Sequence, residues 1–109
     1  MENKTKFKLL LDLKKSFKNE LGENIQSLVL FGSQANNNAT QNSDYDLILV
    51  LKEDYDWNYE KQISKIVYKF ELEQNIFTDI HLISLNQLKN TIKGKDPLFY
   101  NALNSGIYL

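Results

Sequence analysis

From Leu47 to Leu51 the chain reads Leu-Ile-Leu-Val-Leu, with no polar residue to face water. Alternate residues of a strand point to opposite faces, so an unbroken apolar run predicts a central strand covered on both sides. The residues before it are Ser43-Asp44-Tyr45-Asp46. A strand over about Tyr45 to Leu51 is therefore buried along its second half and polar at its start. A second strongly apolar stretch, Ile25 to Phe31, ends in Gly32-Ser33. At 109 residues there is room for one core, so the whole chain, 1–109, is expected to form a single domain.

The rest of the pattern fits around these strands. Apolar residues at Phe7, Leu10, Leu11, Phe17 and Leu21 predict a helix over Thr5 to Leu21, with its lysines forming a solvated face. Gly22 would end it. Asn36 to Asn42 is a polar, turn-forming stretch and Lys52 to Asn58 a loop. Tyr59 to Gln74 predicts a second helix, buried through Ile63, Ile66, Val67 and Phe70. Phe77 to Ile83 predicts a third strand. Ser84 with Gln87 resembles a capping box opening a helix through about Lys93. Gly94 to Pro97 breaks the chain, Leu98 to Asn104 gives a last short helix, Gly106 stops it, and Ile107-Tyr108-Leu109 is extended. This order predicts an α/β (α+β) domain, a small mixed β-sheet with helices on one side.

Composition narrows the function. All 13 basic residues are lysine, against 14 acidic residues, for a net charge of -1. A protein built to grip duplex nucleic acid carries a basic excess, so no direct nucleic-acid partner is expected. Without cysteine, disulfides and thiolate zinc sites are excluded. No run is long enough to span a bilayer and the first residues lack a signal-peptide core, which makes a cytoplasmic location the expectation and a membrane partner unexpected.

The chemistry concentrates at the strand ends. Asp44 and Asp46, two apart on a strand, share one face, and two adjacent carboxylates are most simply reconciled by a shared cation. Oxygen-only ligands with open positions suit Mg²⁺, which keeps waters and takes substrate phosphates as partners. An Asp-x-Asp pair alone is common in solvated loops. Gly32-Ser33 adds specificity: glycine lets the backbone approach an anion, and the following amides and the Ser33 hydroxyl can donate to it. A helix starting at Ser33 would add its dipole. Asp79 is a third carboxylate in an otherwise apolar strand and reaches the same site if that strand lies beside Tyr45–Leu51. His81 shares its face but, as a lone histidine, reads first as structural. Tyr45 faces the opposite way, toward a helix. Tyr55, Trp57 and Tyr59 read as a loop anchor, with stacking on a base or contact with a partner as the alternative.

Gly32-Ser33-x-Ala35 followed by Ser43-Asp44-x-Asp46-Leu47 resembles the signature of the DNA polymerase beta-like nucleotidyltransferase superfamily. Within it the chain resembles the minimal nucleotidyltransferase antitoxins of HEPN–MNT toxin–antitoxin pairs. The resemblance extends to Asp79 and the Pro97…Gly106-Ile107 ending. It implies a nucleotidyltransferase fold in which Gly32 and Ser33 hold the triphosphate of ATP. Asp44 and Asp46 would coordinate Mg²⁺, and Asp79 would complete the metal site and help activate the attacking hydroxyl. Family members often carry Arg-Gly after the alanine, where this chain has Asn36-Asn37.

The activity implied is Mg²⁺-dependent transfer of AMP from ATP to a hydroxyl, a tyrosine of a cognate HEPN ribonuclease toxin, in a hetero-oligomer. Two other functions compete: a non-catalytic antitoxin that neutralises by binding, and a small-molecule, aminoglycoside-type nucleotidyltransferase. Enzymes acting on drugs or RNA generally append a domain that grips the acceptor, and none is expected in these residues.

Overall fold

The computed structural model describes residues 3–35 and 44–109, with side chains from Lys6 onward. The expected polar turn at Asn36 to Asn42, the Asn36-Asn37 pair and Ser43 lie outside the described residues.

The elements run α1 (Asn3–Leu21), β1 (Ile25–Phe31), β2 (Tyr45–Leu51), α2 (Trp57–Gln74), β3 (Thr78–Ser84), α3 (Leu85–Asn90), α4 (Pro97–Ser105) and β4 (Ile107–Tyr108). Short 3₁₀ turns occupy Gly22–Asn24 and Ile92–Lys95. The strands form one mixed sheet in the order β3-β2-β1-β4. β1 is antiparallel to β2 and β4, and β3 is parallel to β2. The doubly apolar run is thus an interior strand. Its Leu47, Leu49 and Leu51 join the core against α1 and α2, while Ile48 and Val50 join a second cluster with Phe99 and Ala102 of α4.

That second cluster corrects the expectation of helices on one side. It holds for α1 and α2, but α4 covers the opposite face, because Ile48, Val50 and Val29 would otherwise lie bare there. Local details also differ from the expectation. Leu13, not Leu11, lies on the buried stripe of α1 with Leu10 and Phe17, and Leu11 is exposed. α2 starts two residues early at Trp57, because Asp56 caps it by accepting from the Tyr59 N–H. The third strand runs Thr78–Ser84, one residue later than expected. α3 ends at Asn90, short of Lys93, where the chain tightens into the second 3₁₀ turn.

The Ser84–Gln87 capping box is present in full. Ser84 is buried, its hydroxyl accepting from the Gln87 N–H at 3.1 Å and donating to Asp54 Oδ1 at 2.5 Å. One residue thereby ends β3, starts α3 and ties down the β2–α2 loop. No described helix is long and apolar enough to cross a membrane.

Removing that hydroxyl leaves the α3 cap unserved and breaks the tie to Asp54. Ser84→Ala is expected to cost about 1–2 kcal/mol, read as a lower urea midpoint at unchanged slope. An unchanged midpoint would show that the cap contributes nothing.

Candidate active site

The site is assembled by register. Across β1 and β2, Phe31 pairs with Asp46, so the chain leaves β1 directly beside that carboxylate. Gly32 makes the exit in the left-handed conformation, φ 73°, and the Ala35 N–H donates to the Gly32 carbonyl at 3.1 Å to close a turn. A Cβ on Gly32 would collide with Asp46 Oδ2 and stand 3.1 Å from Cγ. Glycine is required twice over, by the backbone angle and by the carboxylate against which the turn rests. Ser33 follows, half-buried. The expected helix start at Ser33 takes the form of this single turn in the described residues.

Across β2 and β3, Asp46 pairs with Asp79, on strands about 4.8 Å apart. Asp44 lies two residues back, exposed, and Tyr45 between them turns into the core, where burial raises its hydroxyl pKa. Asp46 is half-buried, and its carboxyl pKa is raised. Burial is the leading cause, followed by the charges of Asp79 and then Asp44, with His81 pulling the other way. Asp46 therefore feels both of the other sequence-predicted aspartates and carries the strain.

Two residues support this group. His81 Nε2 lies 3.4 Å from Asp79 Oδ2, and its ring is held between Phe31 and Phe99, with centroids 6.1 and 6.3 Å away. His81 is thus a neighbour of the carboxylates as well as a structural contact. Lys6 is a correction: it is not on a solvated face but 6% exposed, and its Nζ donates to the Gln34 carbonyl inside the turn. The spacing carried a signal for it, since Lys6, Leu10, Leu13 and Phe17 fall on one helical stripe. The loop aromatics divide. Tyr55 and Tyr59 anchor the loop, Tyr55 donating to the Leu82 carbonyl and Tyr59 accepting from Asn24, whereas Trp57 is 67% exposed.

Among the described residues, no three His, Asp or Glu side chains converge into a ready-made metal cage. The donor set still fits Mg²⁺, which usually takes one or two carboxylates and completes its shell with waters and substrate phosphates. The arrangement offers a cation two or three mutually repelling carboxylates on one side and a backbone turn suited to phosphate on the other.

The family model described as "Polymerase beta, Nucleotidyltransferase" matches residues 12–109. No curated protein sequence matches the chain. A solved structure of a mutant toxin–antitoxin complex, MntA-HpeT, aligns over 85% of this chain and 82% of that one, at 15% identity and a TM-score of 0.49.

Two stability measurements check the geometry. Because the Asp46 pKa is raised by folding, its ionised form is disfavoured in the native state. Stability from this group falls as pH rises through the folded pKa and returns as pH drops below it. Metal-free Asp46→Asn is therefore expected to melt higher than the parent at pH 7, with the gap closing on acidification. A lower melting temperature at pH 7 would contradict the strain. Gly32→Ala is expected to cost at least about 1–2 kcal/mol from the left-handed backbone alone, read by urea denaturation, and a neutral result would place the turn elsewhere.

Proposed function

The chain belongs to the polymerase beta nucleotidyltransferase family, and from that premise we propose that it transfers AMP from ATP to a hydroxyl. The acceptor we infer is a tyrosine of a HEPN ribonuclease toxin, which makes the protein an antitoxin. One observation carries the reading: the β-sheet register sets Asp46 beside Asp79 while the glycine turn rests on the Asp46 carboxylate. A phosphate site and an acid cluster so arranged suit in-line displacement at a phosphorus atom.

In this reading Gly32 and Ser33 receive the triphosphate, through backbone N–H groups and the serine hydroxyl. Asp44 and Asp46 would hold Mg²⁺, with Asp79 completing the set. When bound, the cation supplies positive charge against both the carboxylates and the triphosphate. Asp79, its side chain 58% exposed, is open to an incoming acceptor. It takes the hydroxyl proton as the acceptor oxygen bonds to the α-phosphorus. The bond from that phosphorus to the pyrophosphate oxygen breaks, leaving AMP esterified to the acceptor and free pyrophosphate. His81 holds the Asp79 carboxylate in place, and Lys6 holds the turn through the Gln34 carbonyl. On the toxin, the added AMP is a bulky anion that opposes an RNA backbone by sterics and like charge.

Incubation of a HEPN partner with this protein, ATP and Mg²⁺ is expected to add AMP units, seen by intact-mass measurement. Asp79→Asn is expected to slow the addition by at least about 100-fold, the usual contribution of a positioned base, with the fold intact. Full neutralisation by the triple aspartate variant, with no mass increase from the parent protein, would sink the transfer reading in favour of occlusion.

A further inference from the structure

The last strand of the sheet, β3, pairs with β2 on one side only. Its backbone groups divide by parity. The Phe77 carbonyl accepts from Tyr45 toward β2, so Thr78, Ile80 and Leu82 direct their N–H and C=O groups away from the sheet. Both ends of this edge are already served by side chains. The Thr78 N–H donates to Glu71 Oε2 at 2.7 Å, and the Leu82 carbonyl accepts from the Tyr55 hydroxyl at 3.1 Å. Between them, the N–H and C=O of Ile80 have no partner among the described residues.

The space beyond Ile80 is an open groove of about 940 Å³. Trp57, Lys61, Ser64 and Tyr68 wall it from α2, one residue per turn of a single helix face. Lys93 and Phe99 wall it from the opposite side of the sheet. The layers covering the sheet thus extend past its edge and leave room where a further strand would lie. A bare edge is ordinarily a hazard that proteins cover or charge; here it is capped at both ends and open in the middle.

The charges of the groove indicate what fits. Lys61 Nζ sits 4.3 Å from the Trp57 ring centroid. Lys93 Nζ lies 3.1 Å from the Tyr55 hydroxyl and 5.4 Å from the Phe99 ring centroid. Neither ammonium has a carboxylate partner among the described residues. Two carboxylates also line the groove: Glu71 is engaged by the Thr78 N–H and hydroxyl, and Glu60 sits in the first turn of α2, where the helix dipole offsets its charge. Two cations held on aromatic faces, flanking a free backbone donor and acceptor, match a polypeptide with acidic side chains. His81 also lines the groove, which brings an occupant up to Asp79.

We propose that this groove docks an extended, acidic segment of a protein partner, which pairs with β3 through the backbone of Ile80 and lies between Lys61 and Lys93. The docking mode is strand addition, with main-chain bonds giving affinity and wall residues giving selectivity. Only the purpose of the docking, delivery of an acceptor hydroxyl to Asp79, rests on the transfer reading above.

The test is binding alone, without ATP. A fluorescein-labelled peptide of alternating Glu and Val around one Tyr is titrated with the full chain and followed by anisotropy. Saturable binding is expected. It should weaken about tenfold or more in Lys93→Glu and in the groove-filling Ser64→Trp, and less in Lys93→Met, which keeps the packing against the rings. Circular dichroism confirms that each variant is folded. The same peptide with proline at alternate positions, which cannot donate to a strand edge, is expected not to bind. The proposal is overturned by no binding up to millimolar protein, by equal binding of the proline peptide, or by indifference to Lys93→Glu. Tighter binding of an RNA oligonucleotide that displaces the peptide would also overturn it. Loss of AMP transfer with peptide binding intact would instead count against the transfer reading and leave the groove standing.

Discussion

Asp46 ionises at the end of an apolar strand, beside Asp79 and Asp44, and the fold must hold it there against that charge. Burial supplies the force. Leu47, Ile48, Leu49, Val50 and Leu51 follow it directly, each at most 3% exposed. Full burial of such a side chain is worth about 1.5–3 kcal/mol, whereas two like charges near water at close range cost about 1–4 kcal/mol. A slip of one residue would reverse the facing of the whole strand, placing Tyr45 at the carboxylate site and Asp46 against the helices. The apolar half of β2 thereby sets the position of its polar beginning.

Around that strand the supports are few. Lys6 reaches from α1 into the turn after β1, and His81 is clamped by two phenylalanines beside Asp79. Lys6 comes from an element that carries none of the three aspartates, whereas His81 shares β3 with Asp79. The arrangement gives up some stability at Asp46, whose ionised form the fold disfavours, and sites that serve chemistry commonly accept such a cost.

What the sequence revealed followed from strong local signals. The unbroken run at Leu47 to Leu51 announced an interior strand, and the Ser84–Gln87 spacing announced a cap; both are present. Gly32, Ser33, Asp46 and Asp79 could be singled out because small or charged residues bordering apolar strands need a reason. Less visible were features set by tertiary packing. Lys6 looks like its neighbouring lysines until the core side of α1 is known, and the placement of α4 depends on which face of the sheet remains uncovered. Trp57 starts a helix because Asp56 caps it, a signal present in the sequence but overshadowed by the aromatic cluster around it.

The division of the aspartates between strands also bears on how the molecule assembles. β1 and β2 lie antiparallel, while β3 joins β2 in parallel only after the chain has crossed over through α2. A parallel crossover closes a longer loop and forms more slowly than an antiparallel pair. Gly32, Asp44 and Asp46 belong to the pair, and Asp79 arrives with the crossover. A nascent or partly unfolded chain can thus possess the glycine turn and two acids while lacking the third. Completion of the acid cluster then reports that the β2–β3 seam of the sheet has closed.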